Sequence, residues 1–304
     1  MENIVKITNL TKNFGHKKAV DSVDMNILKG DIYGFIGRNG AGKTTLIRIL
    51  LGLCEKDNGN IKLFGSEDLL KGRDKIGCII ENPGFFPKMT AKNNILAQSK
   101  VMGVEMSDQE VNDLLSLVGL DPNMKKKTKD FSLGMKQRLA IALSLVGNPE
   151  FLVLDEPTNG LDPEGIRDVR NLILKLNREK GLTVLVSSHI LSELHKFATR
   201  YGIIDNGKLI KELTSEELES QTSGGFEIIC KIEDVENIKT IFEEKNVKYN
   251  FDASKNRFLI FDLDDYDSLL KELTLQGIIP LSYHTINADL EDYFLKLIGG
   301  LRNE

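Results

Sequence analysis

GRNGAGKTT, Gly37–Thr45, stands between an apolar run, IYGFI, and a segment, KTTLIRILLGL, whose apolar positions recur at helical spacing. Strand, glycine-rich loop and helix in that order, with the spacing GxxxxGK[ST], read as a phosphate-binding loop. Gly37, Gly40 and Gly42 let the backbone turn tightly and approach phosphate oxygens with no Cβ in the way. Backbone N–H groups of the loop, Asn39 among its residues, and the helix N-terminus then face the negative charge. Lys43 can reach the β- and γ-phosphates of a nucleotide, and the Thr44 hydroxyl can ligate Mg²⁺. Thr45 either packs or makes one more phosphate contact.

Binding phosphate is not yet hydrolysing it. LVLDEP, Leu152–Pro157, supplies the second half: an apolar strand that carries two adjacent carboxylates out at its C-terminal end. Asp155 is placed to hold Mg²⁺, directly or through water, and Glu156 to polarise an attacking water. Neighbouring side chains on a strand point to opposite faces, so a bend at the strand end is needed to aim both at one site. His189 closes another buried-type run, TVLVSSH. It is either a satisfied residue at the edge of the core or a contact to the γ-phosphate. Phe14, in TKNFG, is either core or an aromatic that stacks on adenine.

Outward from these motifs, short strand-like runs alternate with helical ones. NIVKITNL and DMNILKG read as strands. FLVLDEP and TVLVSSH have the continuous apolar character of strands covered on both faces of a parallel sheet. DPEGIRDVRNLILKLNREK offers Asp162 as a helix cap, Pro163 in the first turn and Gly181 as a stop. The α/β region ends near YGIIDNGKLIKEL, where DNG signals a hairpin. This gives a first domain over residues 1–215 and a linker over 216–225, within the polar, glycine-ended run TSEELESQTSGG. A second domain over 226–304 reads as βαββαβ plus a last helix, ADLEDYFLKLIGG, a small split α+β unit with no catalytic pattern.

The 304 residues carry a net charge of −5, so the chain lacks the general basic footprint of a nucleic-acid binder. KKKTK, Lys125–Lys129, is the one local basic run. No aromatic is interleaved with it, and it reads as a solvated loop. The three cysteines, Cys54, Cys78 and Cys230, have neither zinc nor disulfide spacing, which fits a reducing compartment. The N-terminal stretch is not built as a signal peptide, and no apolar run is long enough to span a bilayer. A role at the membrane therefore requires a partner.

Taken together, GRNGAGKTT, FSLGMKQRLAIA, LVLDEPTNGLDP and SSH resemble, in order and relative position, the ATP-binding subunits of ABC transporters over residues 1–215. The resemblance implies an α/β P-loop NTPase fold of ABC ATPase type: a RecA-like core with an antiparallel β subdomain and a helical subdomain, followed here by the small α+β domain. It implies ATP hydrolysis with Mg²⁺ and a cytoplasmic-face position beneath a separate integral-membrane permease. It also implies a homodimer in which two cassettes join head to tail. Ser132 and Gly134 of FSLGMKQR would then contact the γ-phosphate held by the opposite loop, and Asp162 would couple the two sites. His189 matches the family's switch histidine, and Phe14 its adenine-stacking aromatic. With Lys43 and Glu156, His189 completes the expected catalytic set.

Three positions depart from the commonest pattern. Leu133 replaces a signature glycine and Met135 its glutamine. Glu81 replaces the glutamine that opens the mobile loop, keeping an oxygen for Mg²⁺ while adding charge. These departures look like the subgroup that exports bacitracin-type peptides or lantibiotics and confers self-immunity. The alternatives are multidrug or ion export by a related cassette and, after these, a soluble non-transport ABC ATPase or an ATP-dependent switch.

Overall fold

The computed structural model describes residues 2–80, 84–222, 225–261, 263, 265–285, 290, 293, 294 and 297. The chain divides into two compact units, Met1–Ser215 and Glu216–Glu304.

The first unit opens with two long strands, β1 (Asn3–Phe14) and β2 (Lys17–Leu28), and then β3 (Ile32–Ile36) and helix α1 (Lys43–Leu50). β4 (Asn58–Leu63), α2 (Leu69–Arg73) and β5 (Ile76–Ile79) follow, then three helices, α3 (Ala91–Val101), α4 (Asp108–Leu117) and α5 (Leu133–Ser144). The unit closes with β6 (Phe151–Leu154), α6 (Pro163–Lys180), β7 (Thr183–Ser188), α7 (Leu191–Leu194), β8 (Arg200–Asp205) and β9 (Lys208–Thr214).

These elements form the layers of a RecA-like nucleotide-binding unit. A six-stranded sheet has the order β5-β6-β7-β3-β8-β9, parallel except for β9. Every residue of β3, β6 and β7 is buried. That explains their unbroken apolar sequences, since a parallel sheet is covered on both faces. A three-stranded antiparallel sheet, β2-β1-β4, forms the β subdomain. Its Val5, Ile7, Val23 and Met25 join Leu46, Leu50 and Phe35 in one core, which seats α1 beneath the phosphate loop. Helices α3, α4 and α5 pack on one another as the helical subdomain, with Ile95, Val111 and Leu115 buried. The strand expected around DMNILKG extends back to Lys17 because β2 pairs with β1 along nearly its whole length.

At the unit boundary the structure corrects one reading. The stretch taken as a linker, 216–225, holds most of helix α8 (Ser215–Thr222). Its polarity resembles a linker, but Glu216 and Glu217 lie in the first turn, where carboxylates complement the positive end of the helix.

The second unit is built from β10 (Phe226–Ile229), α9 (Val235–Glu244), β11 (Lys248–Asp252), β12 (Arg257–Phe261), α10 (Tyr266–Leu275) and β13 (Ser282–Thr285). The four strands form an antiparallel sheet in the order β11-β12-β10-β13. Each βαβ half is thus split by a strand from the other. Ile228, Phe242, Phe258, Ile260 and Leu273 fill its core. Most of the final stretch read as a helix, ADLEDYFLKLIGG, lies outside the described residues.

Candidate active site

Strands β6, β7 and β3 are adjacent and parallel, so their carboxyl ends deliver three segments to one edge of the sheet: Asp155–Glu156, Ser187–His189 and the loop Gly37–Thr45. Two glycines of the loop are fixed by crowding. A Cβ on Gly37 would meet the Ile204 carbonyl oxygen. One on Gly42 would collide with that of Ala19, and Gly42 has φ +114°. Gly42 directly precedes α1, whose N-terminal residue is Lys43.

Lys43 is only 5% exposed. Its ammonium donates to the Gly37 carbonyl at 2.5 Å and pairs with Glu156 Oε1 at 3.1 Å, so the buried charge is neutralised across the site. Thr44 donates its hydroxyl to Asp155 Oδ2 at 2.8 Å. His189 Nδ1 lies 2.8 Å from Glu156 Oε2. His189 therefore stands at the carboxylate, partly exposed, and not in the core. The bend required after β6 is present: Glu156 has φ +50°, a left-handed conformation rare for a residue with a Cβ. It turns Asp155 toward Thr44 and Glu156 toward Lys43 and His189.

Ser187 holds that bend. Its fully buried hydroxyl donates to Asp155 Oδ1 at 2.5 Å and accepts the Glu156 N–H at 2.9 Å. One oxygen thus fixes the rotation of the first acid and the backbone of the second. Sequence reasoning missed it, although a serine inside the apolar run TVLVSSH was a signal, since a buried hydroxyl needs partners. Glu193 was missed for lack of any such signal; from α7 it accepts the Thr158 hydroxyl at 2.9 Å and ties the segment after Glu156 to the one after His189. Ser187→Ala leaves the Glu156 N–H without its acceptor, a loss of about 1–3 kcal/mol. If it falls mainly on the reacting geometry, turnover drops on the order of tenfold or more while ATP affinity changes little. Phosphate release and nucleotide titration check both; unchanged turnover refutes the positioning role.

Phe14 is 56% exposed, so it is not core. Its ring, with the Lys12 ammonium 5.5 Å from the centroid, lines a cavity of about 300 Å³ with Arg38, Asn39, Gly40, Thr44 and Thr45. Ser132, Gly134 and Asp162 line a different cavity of about 440 Å³ that shares no lining residue with the first. Ser132 caps α5, its hydroxyl accepting the Met135 N–H at 3.3 Å. Asp162 caps α6 through the Gly165 N–H at 2.9 Å, with Pro163 opening the helix. Leu133 is half exposed and lines this second cavity beside Gly160. Glu81 lies outside the described residues.

The ABC transporter family model matches residues 20–159, which contain the phosphate loop, the Ser132 segment and both acids. The bacitracin transport ATP-binding protein BcrA of Bacillus licheniformis is 40% identical over 306 residues, covering 99% of this chain and 99% of its own. The chain belongs to the ABC transporter ATP-binding subunits. This ABC subunit binds and hydrolyses ATP to energise a membrane permease. The lantibiotic transport ATP-binding protein SrtF of Streptococcus pyogenes is 46% identical to it over 209 residues, 69% of this chain and 90% of the relative. A solved ATP-binding cassette, dimeric and bound to ADP and Pi in a post-hydrolysis state, superposes on this ABC subunit with a TM-score of 0.61. That neighbour is 29% identical and covers 69% of this chain and 98% of its own.

Proposed function

We propose that two copies of this subunit pair head to tail beneath an integral-membrane permease and drive export of a peptide antibiotic or another toxic compound, as resistance or self-immunity. The likeness to the bacitracin relative carries this reading, because it runs through the second unit as well as the cassette. Peripheral attachment at the cytoplasmic face follows from such a permease. Among the described residues no helix is long and apolar enough to cross a membrane.

Separate cavities for the phosphate loop and for Ser132–Asp162 support the pairing. Each is half of a site that a second copy completes, as a cyclic two-fold assembly requires. In that dimer Ser132 and Gly134 face the γ-phosphate held by the partner's loop, and Asp162 links the two sites across the interface. Phe14 stacks on adenine at the mouth of the first cavity. The loop glycines, Asn39 and Thr45 surround the phosphates.

Thr44 and Asp155 offer hard oxygens 2.8 Å apart, a set that fits Mg²⁺ completed by phosphate and water oxygens. When bound, the ion would neutralise charge on the transferring phosphoryl group. The remaining work belongs to the chain. Lys43 turns from Glu156 to the phosphates, which frees the carboxylate to orient water and accept its proton. His189 holds Glu156 Oε2 and steadies the γ-phosphate. A groove of about 230 Å³ along β5, lined by Cys78, Gln98, Met102 and Leu143, is the proposed seat for a permease loop.

A strain lacking the gene should become more sensitive to bacitracin-type peptides or lantibiotics. The wild-type gene should restore resistance and the Glu156→Gln gene should not. Growth inhibition measured across such peptides checks this. Unchanged sensitivity to all of them rejects the cargo and leaves the ATPase assignment in place.

A further inference from the structure

The run KKKTK has no aromatic interleaved with it, but the fold brings Phe86 alongside. Thr128, fully buried, donates its hydroxyl to the Phe86 carbonyl at 3.0 Å and its N–H to that of Met89 at 2.9 Å. The Lys129 N–H donates to Pro87 O at 2.9 Å, and Thr90 and Lys127 form an antiparallel bridge. Asn94, 2% exposed, fixes the other side of the loop by accepting the Phe86 N–H at 2.7 Å and donating to the Phe86 and Thr90 carbonyls. Two loops distant in sequence are thereby joined into one platform. It presents Lys88, Lys125, Lys126, Lys127 and Lys129, all exposed, around the exposed side chains of Phe86 and Met89. None of these lysines is in an ion pair among the described residues, although the neighbouring Lys92 is paired with Asp108 at 2.9 Å. On a chain of net charge −5 this is a local excess of positive charge, five lysines with Asp130 as the acid beside them.

We infer that this platform is a contact surface for anionic lipid headgroups. Its composition favours that partner over others. The cations are all lysines, compact hydrated charges suited to a diffuse negative surface, with no arginine among them to grip a phosphate bidentately. A lone exposed phenylalanine with a methionine can dip into the interfacial layer, whereas nucleic acid calls for a series of stacking rings along a groove. The subunit serves a membrane permease, so such a surface is at hand. The platform also runs directly into Phe131 and Ser132, so a membrane contact here would bear on the placement of the signature segment. The inference needs the membrane location of the proposed function but neither its cargo nor its permease contact.

The full chain, without permease, should sediment with phosphatidylcholine vesicles containing phosphatidylglycerol and not with phosphatidylcholine alone. Salt should weaken the binding through Debye screening. Each lysine neutralised should lower the partition coefficient about fivefold, so K125Q/K126Q/K127Q should lose about a hundredfold. Phe86→Ser should remove the part of the binding that survives salt. Basal ATP hydrolysis should be unchanged in both variants, which shows that they fold. Wild-type protein that ignores acidic vesicles overturns the inference, as does a triple variant that binds them like wild type. A triple variant that sediments normally but loses permease-stimulated hydrolysis, or a platform that prefers single-stranded RNA, assigns the lysines to another partner and also overturns it. Because the vesicles contain no permease, a negative result leaves the proposed function standing.

Discussion

Glu156→Gln is expected to bind ATP and to hydrolyse it on the order of 10²–10⁴ times more slowly than the wild-type chain. The substitution keeps the size of the side chain and, through the amide oxygen, a hydrogen-bond acceptor. It removes the negative charge that can accept a proton from water. The present contacts make the expectation specific. Glu156 Oε1 pairs with the Lys43 ammonium at 3.1 Å and Oε2 meets His189 Nδ1 at 2.8 Å, so one carboxylate is shared between the Lys43 ammonium and the His189 imidazole. A neutral amide releases Lys43 to the phosphates without competition. ATP affinity should therefore be retained or rise while turnover collapses. With hydrolysis blocked, ATP should hold two chains together, and light scattering should show a dimer that wild-type protein forms only transiently. Wild-type phosphate release from the variant would remove Glu156 from the catalytic role. A slow variant that stays monomeric with ATP would retain that role and reject the ATP-closed pair.

Most of this site was legible in the sequence because its parts are local. The phosphate loop needs glycine at positions where a Cβ would collide, and the helix after it announces itself by its apolar period. Asp162, Pro163 and Gly181 delimited α6 as cap, first turn and stop, and its observed bounds are Pro163–Lys180. The need for a bend between Asp155 and Glu156 followed from strand alternation alone, and Glu156 at φ +50° supplies it. What escaped depends on contacts across the sheet. Ser187 is 31 residues from Glu156, and its two hydrogen bonds exist only because β6 and β7 lie side by side. The pairing of KKKTK with the loop at Phe86 spans 42 residues, beyond any local pattern. The error at 216–225 had the opposite origin. Polarity was weighed there above the charge placement of a helix start.

Mixing two inactive chains should restore ATP hydrolysis, which decides whether the site is shared between copies. Lys43→Ala removes the ammonium from one cavity and leaves a partly buried Glu156 without its cation, so that chain should hydrolyse no measurable ATP alone. Ser132→Arg fills the other cavity, at the N-terminus of α5, and should be equally inactive, although its own phosphate loop is intact. If each site joins the loop of one chain to the Ser132 segment of the other, a mixed dimer concentrates both defects in one site and leaves its second site whole. Random pairing makes half the dimers mixed, so recovery should approach about a quarter of the wild-type site count if the sites act independently. The activity should also rise with total protein concentration, since it depends on pairing. A site contained within one chain predicts no recovery at any ratio, because each chain then carries its own defect. The separate lining of the two cavities makes restoration the expected result, and a flat mixing curve would refute the head-to-tail arrangement while leaving both residues essential.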